Sequence, residues 1–242
     1  MTNTMRIKCD FFRARVMAQF KALADYIGYV EGQIQQSHHS IRNQVLTENH
    51  TPPDMSDESV QEWLCLRQQE IDECDRRYAV DFRRILRFTV LMSIFGLVES
   101  SLSLLAQEIK KRKDLALDME DLQAKSLVKR FEKFWTKVAR LPWWSDPRWD
   151  ALQDIEQMRN CIAHRNGVVG QNDGRIRQLL NCERGVRLVG VNDPLADPNE
   201  AGALEIEELF CREAVEQMTA LFDEISNRAD CFGPDHIVVE PE

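Results

Sequence analysis

Glycine and proline are scarce in this chain of 242 residues, 10 and 8 in all. A β-sandwich or barrel needs a turn roughly every 8 to 12 residues, so an all-β fold is excluded and a mostly helical one remains. No C-x-x-C pair occurs. The seven cysteines (Cys9, Cys65, Cys74, Cys161, Cys182, Cys211 and Cys231) are odd in number and scattered, which excludes a disulfide framework. Reduced thiols in a cytosol, and hence a cytoplasmic protein, are the expectation. Histidine is sparse as well, five in all with two of them adjacent, and no set has metal-ligand spacing. Neither a metal nor another cofactor is expected.

Positive charge is in deficit: 31 Lys plus Arg stand against 40 Asp plus Glu, a formal charge of -9. That excludes a globally basic nucleic-acid coat and leaves room for a local basic stripe. Long apolar runs are missing too. The most apolar window, Phe88 to Val98, is broken off by Glu99, short of the ~20 residues that span a bilayer, and MTNTMRIKCDFF carries no secretory signal. No membrane contact is expected. With 43% hydrophobic and 29% charged residues, the chain can bury one substantial domain or two small ones.

What is present is helical periodicity. Val16, Phe20, Leu23, Ile27, Val30, Ile34, Ile41 and Val45 form one face of a long helix over residues 8–47, ended by NHTPPDMSD, where Ser56 or Asp57 can cap the next. From Val60 through Leu64, Ile71, Cys74, Tyr78, Phe82, Ile85, Met92, Phe95, Leu102, Leu105 and Ile109 the pattern runs without proline, a helix of roughly 50 residues or two nearly collinear ones. Gly96, Ser100 and Ser103 place small residues on one stripe of it, where another helix can approach closely. A third helix is read over residues 121–138. A fourth comes after LPWWSDP, with Asp146 as cap, Pro147 at the first position, Trp149, Leu152, Ile155, Met158 and Ile162 as its buried face, and Gly167 as stop. Ile176–Leu180 and Val186–Val191 read as a β-hairpin, and a last helix spans about residues 207–228. The expected fold is thus all-α: an elongated antiparallel bundle of about five helices with a small β-hairpin inserted after the fourth. Residues 1–50 are its N-terminal long helix, residues 56–232 the helical domain, and residues 233–242 a mobile tail.

The sequence has no G-x-G-x-x-G, no G-x-x-x-x-G-K-[ST], no H-E-x-x-H and no G-x-S-x-G. The residues that can carry chemistry are in MRNCIAHRNG, 158–167. Asn160 and His164, four apart on a helix, share one polar face, while Arg159 falls at the edge of the apolar stripe, too far round the cylinder to stack on His164. A symmetric partner helix or a bridging phosphate would bring the two together. Imidazole moves protons near neutral pH, and guanidinium holds two phosphate oxygens, so the set contains what cleaves RNA through its own 2′-hydroxyl. A second reading of the same residues is a polar helix end, with Arg159 paired to a carboxylate and His164 capping carbonyls.

Arg, Asn, three residues and His, closing a helix before Gly, resembles the R-x4-6-H signature of the HEPN superfamily. DLQAKSLVKRFEKFW, a Pro/Trp loop and a Trp-bearing helix upstream are similar to prokaryotic HEPN-like proteins, and SIFGLVESSLSLL puts Glu99 where such proteins carry a Glu. The resemblance covers roughly residues 78–229. It implies Arg159 and His164 as a catalytic pair, Asn160 as an orienting residue and Glu99 as a further site residue. It also implies a homodimer with two motifs facing one cleft, and a toxin or phage-defence role with an antitoxin or regulatory protein as partner. The Tyr that one branch carries two residues after the His is Asn166 here, which argues against regulation through that Tyr. Glu99 also reads as the ion-pair partner of an arginine such as Arg159.

Charge patterning adds an RNA track. Residues 110–140 hold ten basic side chains and five acids, and Lys125, Lys129, Lys133 and Lys137 form an i,i+4 stripe suited to a phosphate backbone or, equally, to a solvated helix face. Residues 193–242 hold fourteen acids against two arginines and should repel RNA. Trp143, Trp144 and Trp149 read as base-stacking groups or as packing at a loop–helix junction. The leading expectation is therefore a metal-independent endoribonuclease acting on RNA. A non-catalytic module binding RNA, nucleotide or protein, and a structural helical oligomer, are its rivals.

Overall fold

The computed structural model describes residues 2–47, 56–170, 173–180, 185–190 and 202–231, and the fold is all-α with a small antiparallel sheet. Helix α1 (Thr2–Thr47) stops where the sequence places the proline break. Ser56 caps α2 (Asp57–Asp75), its hydroxyl accepting from the Ser59 N–H at 3.4 Å. A π-helical turn, Arg76–Asp81, then leads without interruption into α3 (Phe82–Lys113), so Asp57–Lys113 is one helix of 57 residues. Each i→i+5 bond takes in one residue more than an α turn, and the apolar stripe changes phase there. Ile85, which a constant period would bury, is 60% exposed, while Leu86 is 6% exposed.

Helix α3 occupies the centre. Its Val90, Leu91, Ile94, Val98, Leu102 and Ala106 are buried where α1, α4 (Leu127–Lys133), α5 (Pro147–Arg165) and α7 (Glu208–Cys231) converge. The helix is long and apolar enough by length and composition to cross a membrane, and nearly half of its most apolar stretch is buried inside the fold. The Phe88 to Val98 window therefore understates the apolar character of this stretch. Helix α1 packs on α7 through the Phe20–Phe222 ring pair and an Arg13–Asp223 ion pair. Glu31, buried on α1, accepts from Arg87 Nε at 2.7 Å, and Arg87 also donates to the Ile206 carbonyl, tying α1, α3 and the sheet together.

Two local expectations are corrected. The third helix starts not at residue 121 but at Leu127, because Ser126 takes the capping conformation and accepts from the Lys129 N–H at 3.2 Å. It is prolonged by a second π turn, Phe134–Val138. Residues 176–180 are not a strand but part of a short helix, α6 (Gly174–Leu180). The partner of β2 (Val186–Gly190) is β3 (Gly202–Ile206), with β1 (Val168–Val169) on its other side, giving the order β1-β3-β2. The expected tail, 233–242, lies outside the described residues.

The tryptophans are packing groups. Trp143 stacks on Trp149 with centroids 4.9 Å apart, and both rings lie within 6.3 Å of Phe131, beside buried Trp135 and Trp144. This cluster joins α4 to the start of α5. Cys65, Cys74, Cys161 and Cys211 are free thiols, and burial pushes Cys211 up to about 12.

Candidate functional site

The motif depends first on a well-anchored α5. Asp146 caps it, accepting from the Arg148 N–H at 2.9 Å, and Pro147 stands at its start as the sequence predicts. The Arg148 guanidinium bonded to Asp146 holds that carboxyl below the usual range. Trp149, Leu152, Ile155, Met158 and Cys161 are buried along one face, and Ile162 is half-buried. At the other end Asn166 takes the left-handed conformation, φ 52°, and Gly167 comes next at φ 80°. Their N–H groups reach the Ile162 and Cys161 carbonyls at 3.0 and 3.2 Å. Asn166 is therefore the helix stop, and Gly167 serves close approach: a Cβ on it would lie 2.7 Å from Phe88 Cζ of α3. Asp173 secures the chain leaving this stop, accepting from both Arg165 terminal nitrogens at 2.6 and 2.8 Å and from the Gly170 N–H at 2.7 Å.

On this rigid end the predicted residues separate into two groups. Arg159 is half-buried, donates to Asn160 Oδ1 at 3.0 Å and stacks over the Phe95 ring of α3 at 5.3 Å. Among the described residues no carboxylate lies within 4.0 Å of its guanidinium nitrogens, so the expected ion pair with Glu99 is not formed. His164 is exposed, five residues and thus about 140° further round the helix. Arg159 lies against Phe95 of α3 with Asn160 bonded to it, while His164 is exposed one turn beyond Asn160. The five-residue step thus points the guanidinium and the imidazole in different directions from one helix.

Two further charged groups stand beside Arg159. Glu156, one turn earlier on α5, is 9% exposed, and its Oε1 accepts from the Leu127 N–H at 2.9 Å, at the start of α4. Its Oε2 is buried without a partner. Burial pushes the Glu156 carboxyl above the ordinary glutamate range and the Glu99 charge adds to that, while the Leu127 N–H, Arg130 and Arg159 oppose it. Arg130, on α4, has a buried Nε with no acceptor. Glu156 thus ties α5 to the start of α4, with Arg159 three residues after it on α5 and Arg130 three residues after Leu127 on α4. In the sequence Arg130 is hidden among ten basic residues. Glu156 looks like any polar position, because its burial comes from a helix end that spacing does not reveal. The i,i+3 and i,i+4 steps from Glu156 to Arg159 and Asn160 are the signal that was there to find.

The lysine track is present in part. Lys129 and Lys133 lie on α4, whereas Lys125 precedes the cap and the second π turn displaces Lys137 from the i,i+4 line. All four are exposed; Lys129 pairs with Glu132 at 2.7 Å and Lys133 donates to the Gln123 carbonyl at 2.7 Å. Among the described residues no three His, Cys, Asp or Glu side chains converge as a ligand set. The chain matches no family model, no curated protein and no solved structure.

Proposed function

We propose that this chain is a metal-independent endoribonuclease of HEPN type that works as a homodimer. In each site Arg159 of one copy would hold the scissile phosphate, Asn160 orienting it. His164 of the other copy would move the proton of the 2′-hydroxyl nucleophile or of the leaving group. The observation that carries the reading is the state of Arg159. It is a half-buried guanidinium fixed by Asn160 and Phe95, with no carboxylate within 4.0 Å among the described residues, on a helix that is capped at both termini.

The angular separation of Arg159 from His164 supports a site completed by a second copy. So does the uncovered stripe on α3. Gly96 and Ser100 are exposed, next in sequence to Phe95 and Glu99, and nothing lies within 4 Å of a Cβ added at Gly96. A helix of a second copy can therefore approach closely there. Toxin or phage-defence use, restrained by an antitoxin or regulatory protein, belongs to the same reading.

Mixing two dead variants tests it. Arg159→Ala and His164→Ala should each lack cleavage, and their mixture, once subunits exchange, should regain it, because one composite site per heterodimer has both residues. A mixture as dead as its parts, or active single variants, would overturn the composite site. Binding without turnover by the wild type would favour a non-catalytic module, which the divergence of His164 from Arg159 within one chain also fits.

A further inference from the structure

We propose that Arg130 of α4 and Arg159 of α5 form a two-guanidinium clamp for one RNA phosphodiester, a role that rests on the ribonuclease reading above. Glu156 of α5 accepts from the Leu127 N–H that opens α4, so Arg130, three residues after Leu127, and Arg159, three residues after Glu156, stand at one helix junction. Among the described residues neither has a carboxylate within 4.0 Å, unlike the half-buried Arg13, Arg83, Arg87, Arg148, Arg175 and Arg228.

Among the described residues Arg130 Nε is a buried donor with no acceptor, so no protein group fixes that guanidinium through it. Arg159 lies over Phe95, which leaves the edge of its guanidinium for planar oxygens. The neighbouring acids do not occupy the arginines. Glu156 bonds the Leu127 N–H and neither guanidinium, and its burial favours the neutral form. Glu99 on α3 bonds neither arginine within 4.0 Å. A phosphodiester supplies acceptor oxygens to both guanidiniums at once. The exposed Lys129 and Lys133 flank Arg130 on α4 and would carry the adjoining backbone toward it.

The test uses the full chain and a short fluorescent single-stranded RNA with 2′-O-methyl riboses, which binds but has no nucleophile to react. Anisotropy is followed across salt concentrations. Arg130→Gln should weaken binding about tenfold and lower the salt slope by about one, as should Arg159→Gln. The double variant should lose less than the sum, since both hold one phosphate. Arg130→Lys should keep the slope and lose affinity, and it stands in if the Gln variant does not fold. An unchanged slope in Arg130→Gln, strictly additive losses, or no binding by the wild type would overturn the clamp. Arg130-dependent binding by a chain that cleaves no RNA would refute the ribonuclease reading alone, and cleavage without Arg130-dependent binding would refute the clamp alone.

Discussion

Replacing Glu156 by Gln and by Ala separates what its two carboxyl oxygens do. Gln keeps the acceptor that receives the Leu127 N–H and puts an NH2 where Oε2 now lacks a partner. Ala removes the acceptor and strands a backbone N–H at the start of α4, a loss of roughly 1–3 kcal/mol. For a chain of this size about 2–4 °C is lost per kcal/mol, so the Ala variant should melt roughly 2–12 °C lower. The Gln variant should behave differently with pH. Burial raises the Glu156 carboxyl above its unfolded value, so the folded state holds the proton more tightly than the unfolded chain. Stability from that preference is complete below about pH 4.3, the ordinary glutamate value, and is lost as pH rises through the raised folded value. Relative to Glu156→Gln, the wild type should therefore weaken as pH climbs from there and level off once the folded carboxyl is ionised. Urea melts of both proteins from about pH 4 to 8 measure the difference. Curves that stay parallel, or a Gln variant that loses ground as pH rises, would refute this account of Glu156.

Gly167→Ala should lower stability by at least the ~1–2 kcal/mol of a left-handed residue, because its Cβ would also press on Phe88 at 2.7 Å; urea denaturation reads this, and an unchanged midpoint contradicts it. Changing Lys129 and Lys133 together to Glu should weaken RNA binding and flatten its salt dependence, with little change in melting temperature, since both side chains are exposed. Unaltered binding would make α4 a solvated face.

The helices are legible in the sequence because their limits are written in local chemistry. Ser56 and Asp146 act as caps whatever surrounds them. The two π turns are not legible, since nothing in a constant period announces an extra residue; hence the period turns Ile85 inward, yet it stands exposed while its neighbour Leu86 is buried. Ile176–Leu180 has strand-like composition, yet it is held as a helix against α5, where Arg175 bonds Asp154 and Gln153, and the partner of β2 comes from Gly202–Ile206. In the candidate site, Arg159, Asn160 and His164 are legible from their spacing. Arg130 is not, because its importance arises where α4 meets α5, a tertiary contact with no signature in its own segment, and Glu156 shows only in its i,i+3 and i,i+4 steps to Arg159 and Asn160.

Proton transfer by His164 on RNA is read out by end-group analysis of a single-site RNA, with wild type and His164→Ala compared in EDTA. The account predicts 2′,3′-cyclic phosphate ends from the wild type, no cleavage of DNA, and a loss in His164→Ala of roughly 10² to 10⁴ in rate with the fold intact. Cleavage that requires magnesium, leaves 3′-hydroxyl ends or survives His164→Ala would contradict it.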